Sequence, residues 1–199
     1  MLSDKLKLIF FSLLILLSAC ESKRNVEPVR LFDDNEFIKK KARELLGEDT
    51  KFAVKGIFNS DSLIEIAAAT EIETDDKWGI RFSLLQRTDD GVVVKYQSDL
   101  LDGSLRECFI DKIKMVGFDK ELLYYNSGSF FMGSGGGEIY AYVVNFKDNS
   151  VYSARLVAEP GRPVLLYLSD NISSPELRTF FGAVFRKDYP SLRVVGNVF

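Results

Sequence analysis

From Lys51 to Ser169 the chain is a succession of short runs in which β-branched, aromatic and aliphatic residues return at every second position. A period of two puts alternate side chains on opposite faces of an extended strand, and a helix does not accommodate it. The runs are KFAVKGIF (51–58), LIEIAAATEI (63–72), WGIRFSLLQR (78–87), GVVVKYQ (91–97), LRECFIDKIKMV (105–116), ELLYYN (121–126), EIYAYVVNF (138–146), SVYSARLVAE (150–159) and PVLLYLS (163–169). Turn-forming clusters separate them, among them Asn59-Ser60-Asp61, Asp89-Asp90-Gly91, Asp102-Gly103 and Asp148-Asn149-Ser150. Connections this short join antiparallel neighbours.

Two segments break the pattern with a helical period. In DDNEFIKKKARELLGED, Phe37, Ile38, Ala42, Leu45 and Leu46 fall on one stripe, with Gly47 at the end. In SSPELRTFFGAVFRKDYP, Ser174 is placed as N-cap and Pro175 at the first helical position, and Leu177, Phe180, Phe181, Val184 and Phe185 form an apolar face. A last short strand, LRVVG, follows. The expected fold is mainly β within the α+β class: an antiparallel curved sheet, or a two-sheet sandwich or barrel-like domain, with one N-terminal and one C-terminal amphipathic helix. An apolar content of 46% over this length suits a single globular domain spanning residues 31–199.

The N-terminus reads differently. Lys5 and Lys7 precede an apolar run from Leu8 to Leu17 that is shorter than the roughly 20 residues a membrane-spanning helix requires, so residues 1–19 read as an export signal. The quartet Leu17-Ser18-Ala19-Cys20 resembles the lipobox of bacterial lipoproteins. The resemblance implies that Cys20 becomes the lipid-modified first residue, bearing acyl chains such as palmitate, and that the partner at this end is a membrane. Glu21 follows where an Asp in such proteins favours the inner membrane. The expected location is therefore the bacterial cell envelope, the outer membrane if the cell is Gram-negative. Residues 20–30 are polar and end near Pro28, as a tether should.

Charge and residue counts remove several functions. The formal net charge is −3, and losing the signal segment makes it more acidic, so no nucleic-acid partner is expected. Lys39-Lys40-Lys41 lies on the predicted helix and reads as a solvated face. There is no histidine, which excludes Ser-His-Asp and Cys-His catalysis and His-ligated zinc. With Cys20 lipidated, Cys108 has no partner in the chain and reads as a small buried hydrophobe.

Two stretches, 51–101 and 104–158, share an order of elements, with Glu65 matching Glu121, and suggest an imperfect internal repeat. Within the first, GIFNSDSLIEIAAA resembles a degenerate FG-GAP or VCBS-type repeat, whose acidic turn binds calcium in intact members. The resemblance implies Asn59, Asp61 and Glu65 as calcium ligands. Ile57 and Ser62 depart from the pattern, and calcium favours six to eight oxygens; no other cofactor is expected.

SGSFFMGSGGGEIY (127–140) lacks the Lys-Ser/Thr pair and following helix of a phosphate loop. It reads as a wide, flexible hairpin whose Phe130, Phe131 and Met132 form an adaptable contact surface. Asp75-Asp76 and Asp89-Asp90 read as solvated turn pairs, while Glu65, Glu121 and Glu138 open strands. The functional expectation is a lipid-anchored envelope protein with a non-catalytic binding domain and an envelope protein as partner. The alternative is a carboxylate-based hydrolase or glycan-active enzyme.

Overall fold

The computed structural model describes residues 34–89, 91–128, 131–133 and 136–196, with residues 131–133 described by their backbone alone. In chain order the elements are α1 (Asn35–Leu46), β1 (Thr50–Gly56), β2 (Glu65–Glu73), β3 (Trp78–Thr88), β4 (Gly91–Gln97), β5 (Phe109–Ile113), β6 (Leu122–Asn126), β7 (Phe131–Gly133), β8 (Gly136–Asn145), β9 (Ser150–Ala158), β10 (Leu165–Leu168), α2 (Pro175–Arg186) and β11 (Arg193–Val195). Among the described residues the fold is mainly β, with two sheets and two helices. Strands β1-β2-β3-β4 form an antiparallel meander. The second sheet has the order β11-β10-β9-β8-β6-β5, with β7 also paired to β8. The stretches 51–101 and 104–158 thus contribute their strands to separate sheets.

Alternation along the strands explains how the sheets stack. On β2, Ala67 and Ala69 face the second sheet, while Ile66 and Ala68 face α1 with Ile38 and Ala42. On β8, Tyr142 and Val144 face the first sheet, while Ala141 and Val143 face Leu177, Phe181 and Phe185 of α2. The central strands are buried on both faces, and the layers run helix, sheet, sheet, helix. α1 and α2 therefore lie on opposite outer faces of the sheet pair.

Capping chemistry sets both helix starts and the end of α1. Asp34 accepts the N–H of Glu36 at 2.9 Å, and Gly47, at φ +104°, donates its N–H to Arg43 O. Ser174 accepts from Leu177 N at 3.4 Å ahead of Pro175. The lysine triplet lies on α1, where Lys39 pairs with Glu36 and Lys41 with Glu44 at 3.1 and 3.0 Å.

The middle core is aromatic. Tyr125 and Tyr142 stack with ring centroids 5.6 Å apart, and Phe82 meets both near edge-on. Their hydroxyls pin the segment that carries the chain from one sheet to the other. Tyr125 donates to Ser104 O at 2.9 Å and accepts from Ser104 N at 3.0 Å, and Tyr142 donates to Asp102 O at 2.8 Å. A Cβ at Gly103 would lie 2.5 Å from the Tyr125 hydroxyl, so only glycine fits there.

Three expectations need correction. The run 105–116 is strand only over Phe109–Ile113, because Tyr125, through its hydroxyl, holds Ser104 while Met115 O accepts the N–H of Phe118 in a turn. The glycine-rich hairpin is narrow rather than wide: Phe131 pairs with Glu138 and Gly133 with Gly136, forming the unanticipated β7. β11 pairs with β10 in parallel, since the intervening α2 returns the chain to the same end of the sheet.

α2 contributes Phe181, fully buried, to the outer core of the second sheet. Phe181→Ala is expected to destabilise the fold by about 3–5 kcal/mol, measured as a lowered urea midpoint with an unchanged m-value.

Candidate functional site

The β1–β2 turn is built around one carboxylate. Glu65 is fully buried, and its Oε2 accepts the N–H groups of Phe58, Asn59 and Ser60 at 3.0, 2.7 and 3.1 Å. Its Oε1 accepts from Gln86 Nε2 at 3.3 Å. A buried carboxylate is tolerated when its lone pairs meet donors in this way. The next N–H in the series, that of Ile57, donates to Glu121 Oε2 at 2.8 Å, and Glu121 N donates back to Ile57 O at 3.0 Å. The two glutamates that the repeat pattern aligns therefore grip one turn from two sheets. Gly56 makes the approach possible, because a Cβ there would lie 2.6 Å from Glu121 Oε2 and from the Phe58 ring.

The three residues implied as calcium ligands are placed as follows. Glu65 holds backbone donors, Asn59 supplies one of those N–H groups, and Asp61 pairs with the ammonium of buried Lys120. Asp119, next to Lys120, pairs with Lys147 at 2.6 Å. Two lysines thus supply the positive charge among these acidic turns. Among the described residues no group of three or more His, Cys, Asp or Glu side chains is arranged to hold a metal ion.

The remaining candidates are dispersed. Cys20 and Phe130 lie outside the described residues. Phe131 and Met132 form β7 and pair with Glu138 and Gly137 of β8. Glu138 accepts from the Tyr140 hydroxyl at 2.6 Å and pairs with Arg155. Burial works to raise its pKa, but the Arg155 guanidinium and the Tyr140 hydroxyl hold the carboxyl below its usual value. Cys108 is half-buried against the middle core, and burial first, then Glu71, pushes its thiol up. A thiol moved in that direction is a poor nucleophile at neutral pH.

A second surface is assembled by residues that sequence reasoning passed over. Beyond Ile113 the chain turns at Met115 and Val116, and Val116 is 81% exposed. These two residues and Pro175, Glu176, Thr179 and Phe180 of α2 line an open cleft of about 380 Å³. Phe109, 55% exposed at the start of β5, packs on Tyr124 at 5.9 Å, and Tyr124 meets Phe180 edge-on at 5.0 Å. An apolar groove thus borders β5 and α2. Its sequence signal was the adjacent Met115-Val116 pair ahead of Gly117, which breaks the alternation of the run.

In comparisons with known proteins, no family model, no curated protein and no solved structure matches this chain.

Removing the Glu65 carboxylate strands three backbone donors. Glu65→Ala is expected to lose on the order of 3 kcal/mol of stability in urea unfolding, with hydrogen exchange rising first at Phe58, Asn59 and Ser60. Calcium is expected to leave the Tm of the full chain carrying Cys20→Ser unchanged; a rise abolished by Asp61→Ala would instead assign a metal to the turn.

Proposed function

We propose that this chain is a lipid-anchored protein of the bacterial cell envelope, held in the outer membrane where the cell has one, and that its folded domain binds another envelope protein without catalysing a reaction. The observation that carries the binding reading is the apolar groove beside α2, with Val116 four-fifths exposed and Phe109 more than half exposed at its margin. Single exposed apolar residues are ordinary on protein surfaces, whereas a shared apolar concavity marks a contact site. The lipobox-like quartet ending at Cys20 supplies the anchor. In this reading the tether leads into α1, on the outer face opposite α2, so the anchored domain offers its groove on the layer remote from its attachment. A two-acyl or three-acyl anchor holds such a domain stably without any membrane-spanning helix.

Thr179, exposed in the groove, is the position for a photo-cross-linking amino acid in intact cells. The expected result is one stoichiometric envelope protein attached to the membrane-bound chain, lost when Val116→Asp is added to a domain that still folds. Cys20→Ser is expected to release the chain from the membrane fraction. Recovery of no specific protein from well-anchored chain would overturn the binding reading.

A further inference from the structure

The groove is bordered by a strand edge, and the chemistry of that edge restricts what it binds. Among the described residues the strands that end the two sheets are β1, β4, β11 and β5, with the three-residue β7 beside them on β8. β1 carries a bulge between Thr50 and Phe52 together with Lys51 and Lys55. β4 carries one opposite Leu84 and Leu85, with Lys95 as its extra residue. β11 is three residues long. Bulges, lysines and shortness are the ordinary means of stopping an edge from recruiting another strand.

β5 has an unbroken register with β6 over all five residues, and none of the five is buried. Its Lys112 side chain is drawn to Glu121 at 3.3 Å. The N–H of Lys112 turns onto its neighbour Asp111 Oδ1 at 2.8 Å, so by the alternation of an antiparallel ladder the outward main-chain groups are those of Ile110 and Lys112, and the ones left for an added strand are the N–H and C=O of Ile110 and the C=O of Lys112. An edge of outward N–H and C=O groups is complemented by an extended backbone.

The side chains narrow the choice further. Ile110 faces the middle core, so Phe109, Asp111 and Ile113 share the α2 side. That side is apolar apart from Thr179 and two exposed carboxylates, Asp111 on β5 and Glu176 in the groove. A second copy of β5 fits poorly. Two-fold antiparallel pairing over the full strand sets Asp111 opposite its own copy and a shift one way sets Lys112 opposite Lys112, like charges that destabilise a cross-strand pair, while a shift the other way, with Ile110 opposite Ile110, leaves only Phe109 to Asp111 of each strand paired.

We propose that β5 and α2 together bind an extended segment of a different protein, added as a strand along β5, with apolar residues and a Lys or Arg on the side facing α2. This rests on the groove being the binding surface, and it names the partner's chemistry.

The test is a phage-displayed heptapeptide library selected on the full chain in detergent, with enriched peptides measured by fluorescence anisotropy. Enriched sequences are expected to alternate apolar residues with Lys or Arg. Ile110→Pro, which removes the outward N–H that is not taken up by Asp111 and leaves the ladder to β6 intact, is expected to weaken them about tenfold. Asp111→Lys leaves the backbone donors in place and is expected to turn selection toward acidic peptides, which keeps the test decisive if the proline variant unfolds. No enrichment, enrichment of β5-like sequences, or binding indifferent to both substitutions would overturn strand addition. If the cross-link at Thr179 still captures an envelope protein in that case, the groove binds by another mode and only this proposal falls; if the cross-link also fails, both do.

Discussion

The Glu65 carboxylate is the interaction on which the arrangement of the two sheets most depends. An ionised group out of contact with water is costly unless donors surround it, and here three successive backbone N–H groups and one amide do so. The turn they form drives Phe58 into the middle core, where it packs edge-on to Phe146 at 5.5 Å. It also presents Ile57 to Glu121 at the start of β6. One buried charge therefore sets the β1–β2 connection, a core aromatic and a hydrogen-bonded tie between the sheets. Lys120, beside Glu121 and buried, pairs with Asp61 on the same turn and adds a second tie.

Four layers demand strands that are apolar on both sides. Ala67, Ala68 and Ala69 meet that demand on β2 with small side chains, which lets α1 approach one face while Phe82, Tyr125 and Tyr142 fill the space on the other. The tyrosines carry polar tips into that core and place them on backbone groups of Asp102 and Ser104. Packing and hydrogen bonding thus act on the same rings: the aromatic bodies separate the sheets, and the hydroxyls fasten the crossing segment over them.

The surface follows from the same stacking. A helix on each outer face covers the sheets but leaves their lateral edges to be protected locally. Lysines and bulges protect β1 and β4, while β5 carries no bulge, turns its Lys112 side chain to Glu121 and adjoins the apolar groove at α2. α1 and the groove then belong to opposite outer layers.

Local chemistry was legible in the residues. Period-two runs marked nine of the ten strands between Thr50 and Leu168, with LRVVG marking β11; β7 alone escaped, because Phe131-Met132-Gly133 is too short to show alternation. Ser174-Pro175 and Gly47 marked helix ends because capping depends on adjacent residues. The Met115-Val116 pair marked a break in alternation, but the surface it forms was not legible, since its other wall, Pro175 to Phe180 of α2, lies about 60 residues further along the chain. The roles of the glutamates were not legible either: Glu121 reaches a backbone N–H 64 residues away. The sequence by itself determined the elements, their caps and the need for two-sided burial, all properties of neighbouring residues. Only the tertiary structure decided which carboxylates meet N–H donors, which lysines meet them as ion pairs and which strand edge stays open, because those depend on what distant strands bring alongside.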